Sequence, residues 1–282
     1  MKVSVIMPAK NEGMVVGEVV SRVYNILPDA EVIVVNDGSS DDTQAKSEQA
    51  GAKVITHPYS KGNGAAIKSG ARAATGDILI FMDSDGQHRP EDIPRLLSRL
   101  SEGYDMVVGA RSSESQASMG RWAANTFYNK LSSWMVGQKI EDLTSGFRVV
   151  SAVKFREFLH ILPNAFSYPT TSTMAFFRAG YSVAYEPIVA DERVGESHIR
   201  IFKDGIRFLI IIFKIGTLYS PLKLFGPLSL GFFGLGFGHY INTLISDGRF
   251  TNMSALLLSV SVIIFLVGLV SEQITQLLYK NE

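Results

Sequence analysis

Ile78-Leu-Ile-Phe-Met-Asp83-Ser-Asp85-Gly-Gln87-His88 is the stretch that decides how this chain of 282 residues is read. Its five apolar residues describe a buried strand, and the run breaks at two carboxylates with one residue between them. In an extended chain, side chains at i and i+2 point the same way. Asp83 and Asp85 are therefore expected to face one spot past the strand's carboxyl end, where open α/β sheets bind ligands. Two carboxylates held close repel unless a cation joins them. Hard oxygen ligands favour Mg²⁺ or Mn²⁺, usually shared with substrate phosphates. Taken alone, the spacing describes either such a metal site or a loop of solvated acids.

Upstream and downstream, strand-like runs occur at Val3–Met7, Glu31–Val35, Ala52–Thr56, Asp77–Met82 and Asp105–Gly109. Helix-like stretches at Gly13–Ile26, Asp42–Ala50, Gly64–Ala74 and Pro90–Leu100 separate most of them. Ser40 or Asp41 suits the cap of one helix, and Arg89-Pro90-Glu91-Asp92 has the proline and acids of a helical first turn. This alternation predicts an α/β fold of βαβ units with a mostly parallel sheet. Three more strand ends carry polar clusters: Pro8-Ala-Lys10-Asn11-Glu12, Asn36-Asp37-Gly38-Ser39-Ser40-Asp41-Asp42-Thr43 and Lys61-Gly62-Asn63-Gly64-Ala65. In a parallel sheet the first two and the Asp-Ser-Asp run share one edge and converge. Lys61 and its glycines open a helix whose backbone amides are expected to hold phosphate. The Gly-x-x-x-x-Gly-Lys-Ser/Thr order of a P-loop is absent, as is a Gly-x-Gly-x-x-Gly after the first strand. Asp37 by itself reads equally as a ligand contact or as a cap for the next helix.

Composition narrows the class. There is no cysteine, which excludes disulfides, zinc-thiolate sites and a thiol nucleophile. Zero net charge argues against a nucleic-acid protein. The amino terminus starts directly on a strand-like run, without a signal-peptide pattern. Near residue 199 charge becomes sparse. Leu224–Ile245, about 22 residues, and Met253–Tyr279, about 27, are each long enough to cross a bilayer. The polar linker Ser246–Asn252 makes them a transmembrane hairpin. Lys203, Arg207, Lys214 and Lys223 precede it and Lys280 follows, whereas the linker carries only Arg249. The positive-inside rule then places the N-terminal domain and both termini in the cytoplasm, with the chain a multi-pass protein of the cytoplasmic membrane. Residues 199–221 mix Ile201, Phe202 and Phe208 with Arg200, Lys203 and Arg207. They suit an amphipathic interfacial segment between a domain at 1–198 and a hairpin at 222–282. Gly231, Gly234 and Gly238 fall near one helix face and permit close approach of a helix, within the hairpin or between subunits of a homo-oligomer. Glu272 is expected to pair with Lys223 or to snorkel to the interface.

Taken together, the four clusters resemble glycosyltransferase family 2, in their order and their spacing over roughly residues 1–200. The resemblance implies a GT-A fold, a nucleotide-sugar donor and a Mg²⁺ or Mn²⁺ cofactor. It implies that Pro8, Glu12 and Asp37 contact the nucleoside, with Lys10 and Lys61 in the same donor-binding set. Asp83 and Ser84 would lie near ribose and phosphates, and Asp85 would bind the metal with Asp83 beside it. Within the family the likeness is to polyprenyl-phosphate glycosyltransferases, such as dolichyl-phosphate mannose synthases and bacterial glucosyl relatives. There Gln87 would be a further metal ligand. Asp142-Leu-Thr-Ser145-Gly-Phe-Arg148 matches an Asp-x-Thr-Ser-Gly-Phe-Arg signature, and Arg193-Val-Gly-Glu-Ser197-His198 resembles a basic loop in which His198 replaces the usual Lys. Ser145 and Ser197 join the binding set on those matches.

Arg111, Arg148 and Arg193 suit an acceptor phosphate, because the guanidinium fork matches phosphate oxygens. An ordinary ion pair is the alternative for each. A lipid phosphate is already anionic and needs no dedicated base, so Asp142 is either a base or structural. The expected reaction inverts the anomeric centre and moves one sugar to polyprenyl (undecaprenyl) phosphate. Asp85, Arg148, Arg193 and Asp142 are the candidate catalytic groups. UDP-glucose or UDP-N-acetylglucosamine is the expected donor, with GDP-mannose next. A processive synthase is disfavoured because Arg121-Trp122 lacks the preceding Gln of a Gln-x-x-Arg-Trp motif. A non-catalytic sensor is disfavoured by the intact Asp83, Asp85 and Gln87.

Overall fold

The structure is a computed structural model that describes residues 2–111, 119–165, 168–189, 213, 217 and 219–278. The seven strands and the helices around them form one unit, and the two C-terminal helices, with Met135–Gly137, belong to a second.

The apolar runs form β1 (Val3–Ala9), β2 (Glu31–Asn36), β3 (Lys53–Thr56), β4 (Ile78–Phe81) and β5 (Met106–Arg111). Those of β1, β2, β4 and β5 become strands because they are rich in β-branched residues and mostly buried, whereas β3 at the sheet edge is half-exposed. Two strands were not expected from the sequence, β6 (Arg148–Ser151) and β7 (Val183–Ile188). The sheet order is β3-β2-β1-β4-β6-β5-β7. Pairings β1–β2, β1–β4, β2–β3 and β5–β7 are parallel, whereas β6 runs antiparallel to both β4 and β5. The sheet is therefore mixed and mostly parallel. β6 was hidden because only four residues form it and a polar turn precedes it. In β7, Glu186 and Pro187 interrupt the apolar pattern.

Helices α1 (Val16–Ile26), α2 (Thr43–Gln49), α3 (Asn63–Ala73), α4 (Ile93–Ser101), α5 (Met119–Val136), α6 (Ala152–Glu157) and α7 (Tyr168–Arg178) cover the sheet. A short 3₁₀ turn at Pro90–Asp92 precedes α4. The α1 residues Val16, Val19, Val20 and Val23 are all buried, at the helical spacing that aligns them on one face. They join Val5, Met7, Val32, Val34 and Ile80 in the core. Full burial of such a side chain contributes about 1.5–3 kcal/mol.

In the second unit, α8 (Pro221–Asp247) and α9 (Asn252–Leu278) are each long and apolar enough to cross a membrane. Gly248, at φ 65°, stops α8 with its amide on the Leu244 carbonyl, 3.1 Å away. The helices run antiparallel. Ser229 and Ser261 exchange hydroxyl-to-carbonyl hydrogen bonds of 2.9 Å, and His239 Nδ1 meets Ser254 Oγ at 2.9 Å. Of the two contacts the sequence leaves open for the glycines, the one inside the hairpin is not theirs. Beyond their own helix backbone, no atom of the described residues lies within 4 Å of where a Cβ would stand on Gly231, Gly234 or Gly238. Gly236 and Gly268 serve the hairpin contact instead: a Cβ there would stand 2.9 Å from Leu257 Cβ and 2.8 Å from Phe225 Cβ. Lys223 Nζ donates to the Met135 carbonyl at 2.8 Å. Most of the expected interfacial segment lies outside the described residues.

Candidate active site

Parallel register brings the carboxyl ends of β1, β2 and β4 to one edge: Ala9 lies opposite Asn36, and Ile6 opposite Phe81. Hydrogen bonds then fasten the four clusters to one another. Asp37 N–H donates to Ala9 O (2.9 Å), His57 N–H to Asn36 O (2.9 Å) and Ser84 Oγ to Pro8 O (2.8 Å). Asn11 and Glu12 amides donate to Ser39 Oγ and Thr43 Oγ1 at 3.0 and 2.9 Å, and Lys10 Nζ reaches Ser60 Oγ at 3.0 Å. Asn11 takes the left-handed conformation, φ 56°, which Asn tolerates better than most residues.

Asp37 is buried, and its carboxylate is fully engaged. Oδ1 accepts from the Lys61 amide (2.8 Å) and pairs with His57 Nδ1 (2.7 Å), while Oδ2 accepts from Ser60 Oγ (2.8 Å) and the Gly62 amide (2.9 Å). Those are about as many bonds as a carboxylate can accept. Burial alone would raise its pKa, but the hydrogen bonds from His57, Lys61, Ser60 and Gly62 prevail and lower it from 3.8 to about 2. Asp37 does not cap α2, whose first residue is Thr43; it ties down the loop entering α3. His57, which carried no signal in the sequence, completes the arrangement through Nε2 to Ser69 Oγ at 2.9 Å.

The expectation that the amides opening α3 hold phosphate is corrected. The Lys61 and Gly62 amides go to Asp37, and those of Gly64 and Ala65 go to the carbonyls of Ala165 (3.3 Å) and Asn164 (2.9 Å). A Cβ on Gly64 would stand 2.1 Å from the Pro163 carbonyl oxygen, so glycine is needed for that close approach. The Lys61 side chain itself stays exposed at the edge.

At the fourth cluster, β4 ends at Phe81 and the chain turns. The i, i+2 alternation expected for Asp83 and Asp85 therefore does not extend to them. Gly86 adopts φ 80°, and Asp85 Oδ1 accepts the Gln87 amide at 3.1 Å. Asp85 is 9 % exposed, and the Asp83 side chain 36 %. The run closes on His88. It is buried, its ring stacks on Phe147 at 5.2 Å, and Nδ1 accepts the Asp83 amide at 2.9 Å. That nitrogen carries no proton, so its 3.8 Å approach to Asp83 Oδ2 is not an ion pair.

The 142–148 turn lies against this loop. A Cβ on Gly146 would stand 3.2 Å from Asp83 Oδ2 and 3.4 Å from the Tyr168 hydroxyl. Asp142, also buried, accepts from Arg111 Nε (2.8 Å) and Nη2 (3.1 Å) and from the Thr144 and Ser145 amides. Burial would raise its pKa, but Arg111's hydrogen bonds and charge, with those amides, hold it below the ordinary carboxylate range. Asp142 is thus a saturated structural anion rather than a base, and Arg111 is its partner in an ion pair. Arg148 is corrected too. It is 0 % exposed, and Nη1 donates to Pro169 O (3.0 Å), Ser172 Oγ (2.8 Å) and Thr173 Oγ1 (3.2 Å), with Nη2 on Ser145 O. Burial lowers its pKa, and the Tyr168 ring lies 5.7 Å from the guanidinium. A guanidinium enclosed this way does not present itself to an acceptor phosphate. The Ser145 hydroxyl is buried without a partner among the described residues. Pro8, Glu12 and Ser84 line the same edge, whereas Arg193, Ser197 and His198 lie outside the described residues.

Among the described residues no three or more His, Cys, Asp or Glu gather as a metal-binding cluster. The donors present are the Asp83 and Asp85 carboxylates and the Gln87 amide oxygen. Hard and few, they suit a divalent cation that keeps waters and shares substrate phosphates.

Comparison with known proteins gives the chain's relatives. The model of glycosyl transferase family 2 matches residues 4–159, and that of the GtrB C-terminal hairpin matches residues 220–277. The chain is similar to a dolichyl-phosphate hexose transferase of Haloferax volcanii, 29% identical over 72% of this chain and 88% of the relative. It is 37% identical to a dolichol-phosphate mannosyltransferase of Pyrococcus furiosus over 52% of this chain and 45% of the relative. A Proteus mirabilis undecaprenyl-phosphate 4-deoxy-4-formamido-L-arabinose transferase is 34% identical over 50% of this chain and 46% of its own length. The last two are thus matched over less than half their length. Among solved structures, glucosyl-3-phosphoglycerate synthase from Mycobacterium tuberculosis, bound to Mn²⁺, UDP and glucosyl-3-phosphoglycerate, superposes with a TM-score of 0.61 at 21% identity, over 76% of this chain and 78% of that one.

Proposed function

The chain belongs to glycosyl transferase family 2, and on that premise we propose that it moves one sugar from a nucleotide-sugar to a polyprenyl phosphate at a membrane surface. The observation that carries this reading is the presence on one chain of both matched parts, the transferase domain at 4–159 and the hairpin at 220–277. The three relatives differ in the sugar they are named for, but each name contains a dolichyl, dolichol or undecaprenyl phosphate. The acceptor class is therefore better supported than the donor.

In this reading the edge formed by Pro8, Glu12, the Asp37-ordered loop and Ser84 receives the nucleotide. Asp85, Asp83 and Gln87 would hold Mg²⁺ or Mn²⁺, which when bound takes up charge on the diphosphate leaving group as a Lewis acid. The Mn²⁺ in the mycobacterial structure supports a divalent ion in this fold. His88 holds the Asp83 backbone in place, and Arg111 keeps the Asp142 turn beside it. No side chain need act as base, because the acceptor phosphate arrives ionised; positioning it opposite the leaving group inverts the anomeric carbon. Arg193 remains the arginine proposed for that phosphate. The hairpin would set the domain at the cytoplasmic face, with both termini on that side.

UDP-glucose or UDP-N-acetylglucosamine is the proposed donor. GDP-mannose is the second reading, favoured by the 37% identity to the Pyrococcus mannosyltransferase. The test is a panel of UDP- and GDP-sugars given to the purified full chain with Mn²⁺, with and without undecaprenyl phosphate. Nucleotide release that depends on the lipid from one donor supports the reading. Release indifferent to the lipid contradicts it.

A further inference from the structure

A cavity of about 520 Å³ opens on the outer side of α3. Lys68, Ser69 and Arg72 line it from the helix, at the three- and four-residue spacings that align side chains on one face. Tyr59 and Lys61 close it from the loop after β3, and Asn164 from the segment before α7. Ser60 also lines it and is bonded to Asp37 Oδ2 and Lys10 Nζ, so the cavity adjoins the donor edge, but no step proposed above uses Lys68 or Arg72.

The charge in this cavity is one-sided. Lys61, Lys68 and Arg72 all reach it, and among the described residues none has a carboxylate within ion-pair distance. Lys68 is held in position by the Leu162 carbonyl (3.0 Å) and by the Asn164 side-chain oxygen, which leaves one ammonium proton to donate. Burial, and then the charge of Arg72, lower its pKa, a sign that like charges are crowded without compensation. At the wall, Ser69 Oγ is bonded to His57 Nε2, so its position is fixed from behind. The Tyr59 ring is 67 % exposed, with Lys61 Nζ 5.9 Å from its centroid. The Asp37 carboxylate, buried behind Ser60 and His57, bonds none of the three cationic side chains.

We propose that this cavity is a second anion site, beside the donor edge, which takes a phosphoryl group on Lys68 and Arg72. Arg72 supplies the planar fork that fits phosphate oxygens, Lys68 a fixed point charge, and Tyr59 a flat apolar wall beside them. A phosphoryl group of this kind is carried by nucleoside diphosphates and by isoprenyl phosphates alike.

Isothermal titration of the full chain in detergent, with inorganic pyrophosphate and no divalent cation, tests the proposal. Saturable binding is expected, and Arg72→Glu is expected to weaken it by about ten-fold or more. Lys68→Gln weakens it too, but disturbs the 162–164 segment, so Arg72→Glu is the deciding variant. Sugar transfer at saturating donor should stay within about two-fold in Arg72→Glu, because the exposed end of α3 takes no part in it. Pyrophosphate affinity unchanged in a folded Arg72→Glu protein overturns the proposal. Repeating the titration with a nucleoside diphosphate and with a short-chain isoprenyl phosphate identifies the source: the ligand whose affinity falls in Arg72→Glu is the one this cavity takes. If neither falls, the proposal is overturned.

Discussion

Replacing Asp37 by Asn isolates one buried charge and the loop it organises. The folded carboxyl titrates at about 2 instead of 3.8. At about 1.4 kcal/mol per pH unit, this difference is worth about 2.5 kcal/mol of folding stability. The folded pKa is depressed, so the contribution is complete above the ordinary value and drains away as pH falls from about 4 towards 2. The side chain is only 6 % exposed, so solvent screening takes little from that figure. In Asp37→Asn the amide nitrogen must face two of the four donors, leaving at least one buried N–H unpaired, at a cost of about 1–3 kcal/mol. Denaturant melts of the full chain in detergent, at a series of pH values from about 6 to about 2, would follow both proteins. Wild type is expected to be the more stable near neutrality, and the gap should narrow by about 2 kcal/mol between about pH 6 and about pH 2. Asp41, Asp142 and Asp105, also held below the ordinary range, add acid sensitivity to both proteins and cancel in the difference. A gap that stays constant across the series would refute the assignment of Asp37 as the charged centre of this loop.

The structure makes three other outcomes specific. Arg148→Met should lower stability by about 1–3 kcal/mol for each buried acceptor it leaves unpaired, while the folded fraction keeps its KM for lipid phosphate; a selective rise in that KM would restore Arg148 to the acceptor site. Gly64→Ala should cost about 1–3 kcal/mol, because its Cβ meets the Pro163 carbonyl and the 163–165 segment must move, whereas Gly234→Ala, inside a helix and with open space at its Cβ among the described residues, should not lower the melting temperature. Asp85→Ala should abolish the stimulation of transfer by Mn²⁺, read by titrating the metal at fixed donor; an unaltered metal titration would remove Asp85 from the ligand set.

Much of the site was legible because its parts sit at strand ends. The runs ending at Ala9, Asn36 and Phe81 are apolar enough to identify as strands, and parallel pairing alone then gathers the residues that follow them. What could not be read is where each hydrogen bond goes. Gly62 and Gly64 look like a phosphate loop in sequence, but their amides are used by Asp37 and Ala165, from distant parts of the chain. Asp142 and Arg148 sit in one motif, yet one is satisfied by Arg111 and the other is enclosed beneath α7. That difference depends on β6, a strand too short to announce itself. His57 and His88 carry no local pattern at all; each matters only through a partner supplied by the fold. Past Phe81 the strand periodicity ends, so the Asp83–Asp85 spacing marks a turn with hard oxygen donors rather than two side chains on one strand face.

The central claim is that a single sugar passes to a lipid phosphate. Mass spectrometry of the lipid fraction, after the full chain has consumed its donor in the presence of undecaprenyl phosphate and Mn²⁺, reads this directly. The account predicts one new species, heavier than the acceptor by one sugar residue and still carrying one phosphate. A ladder of several sugars on the lipid, or release of nucleotide with the lipid unchanged, would contradict it.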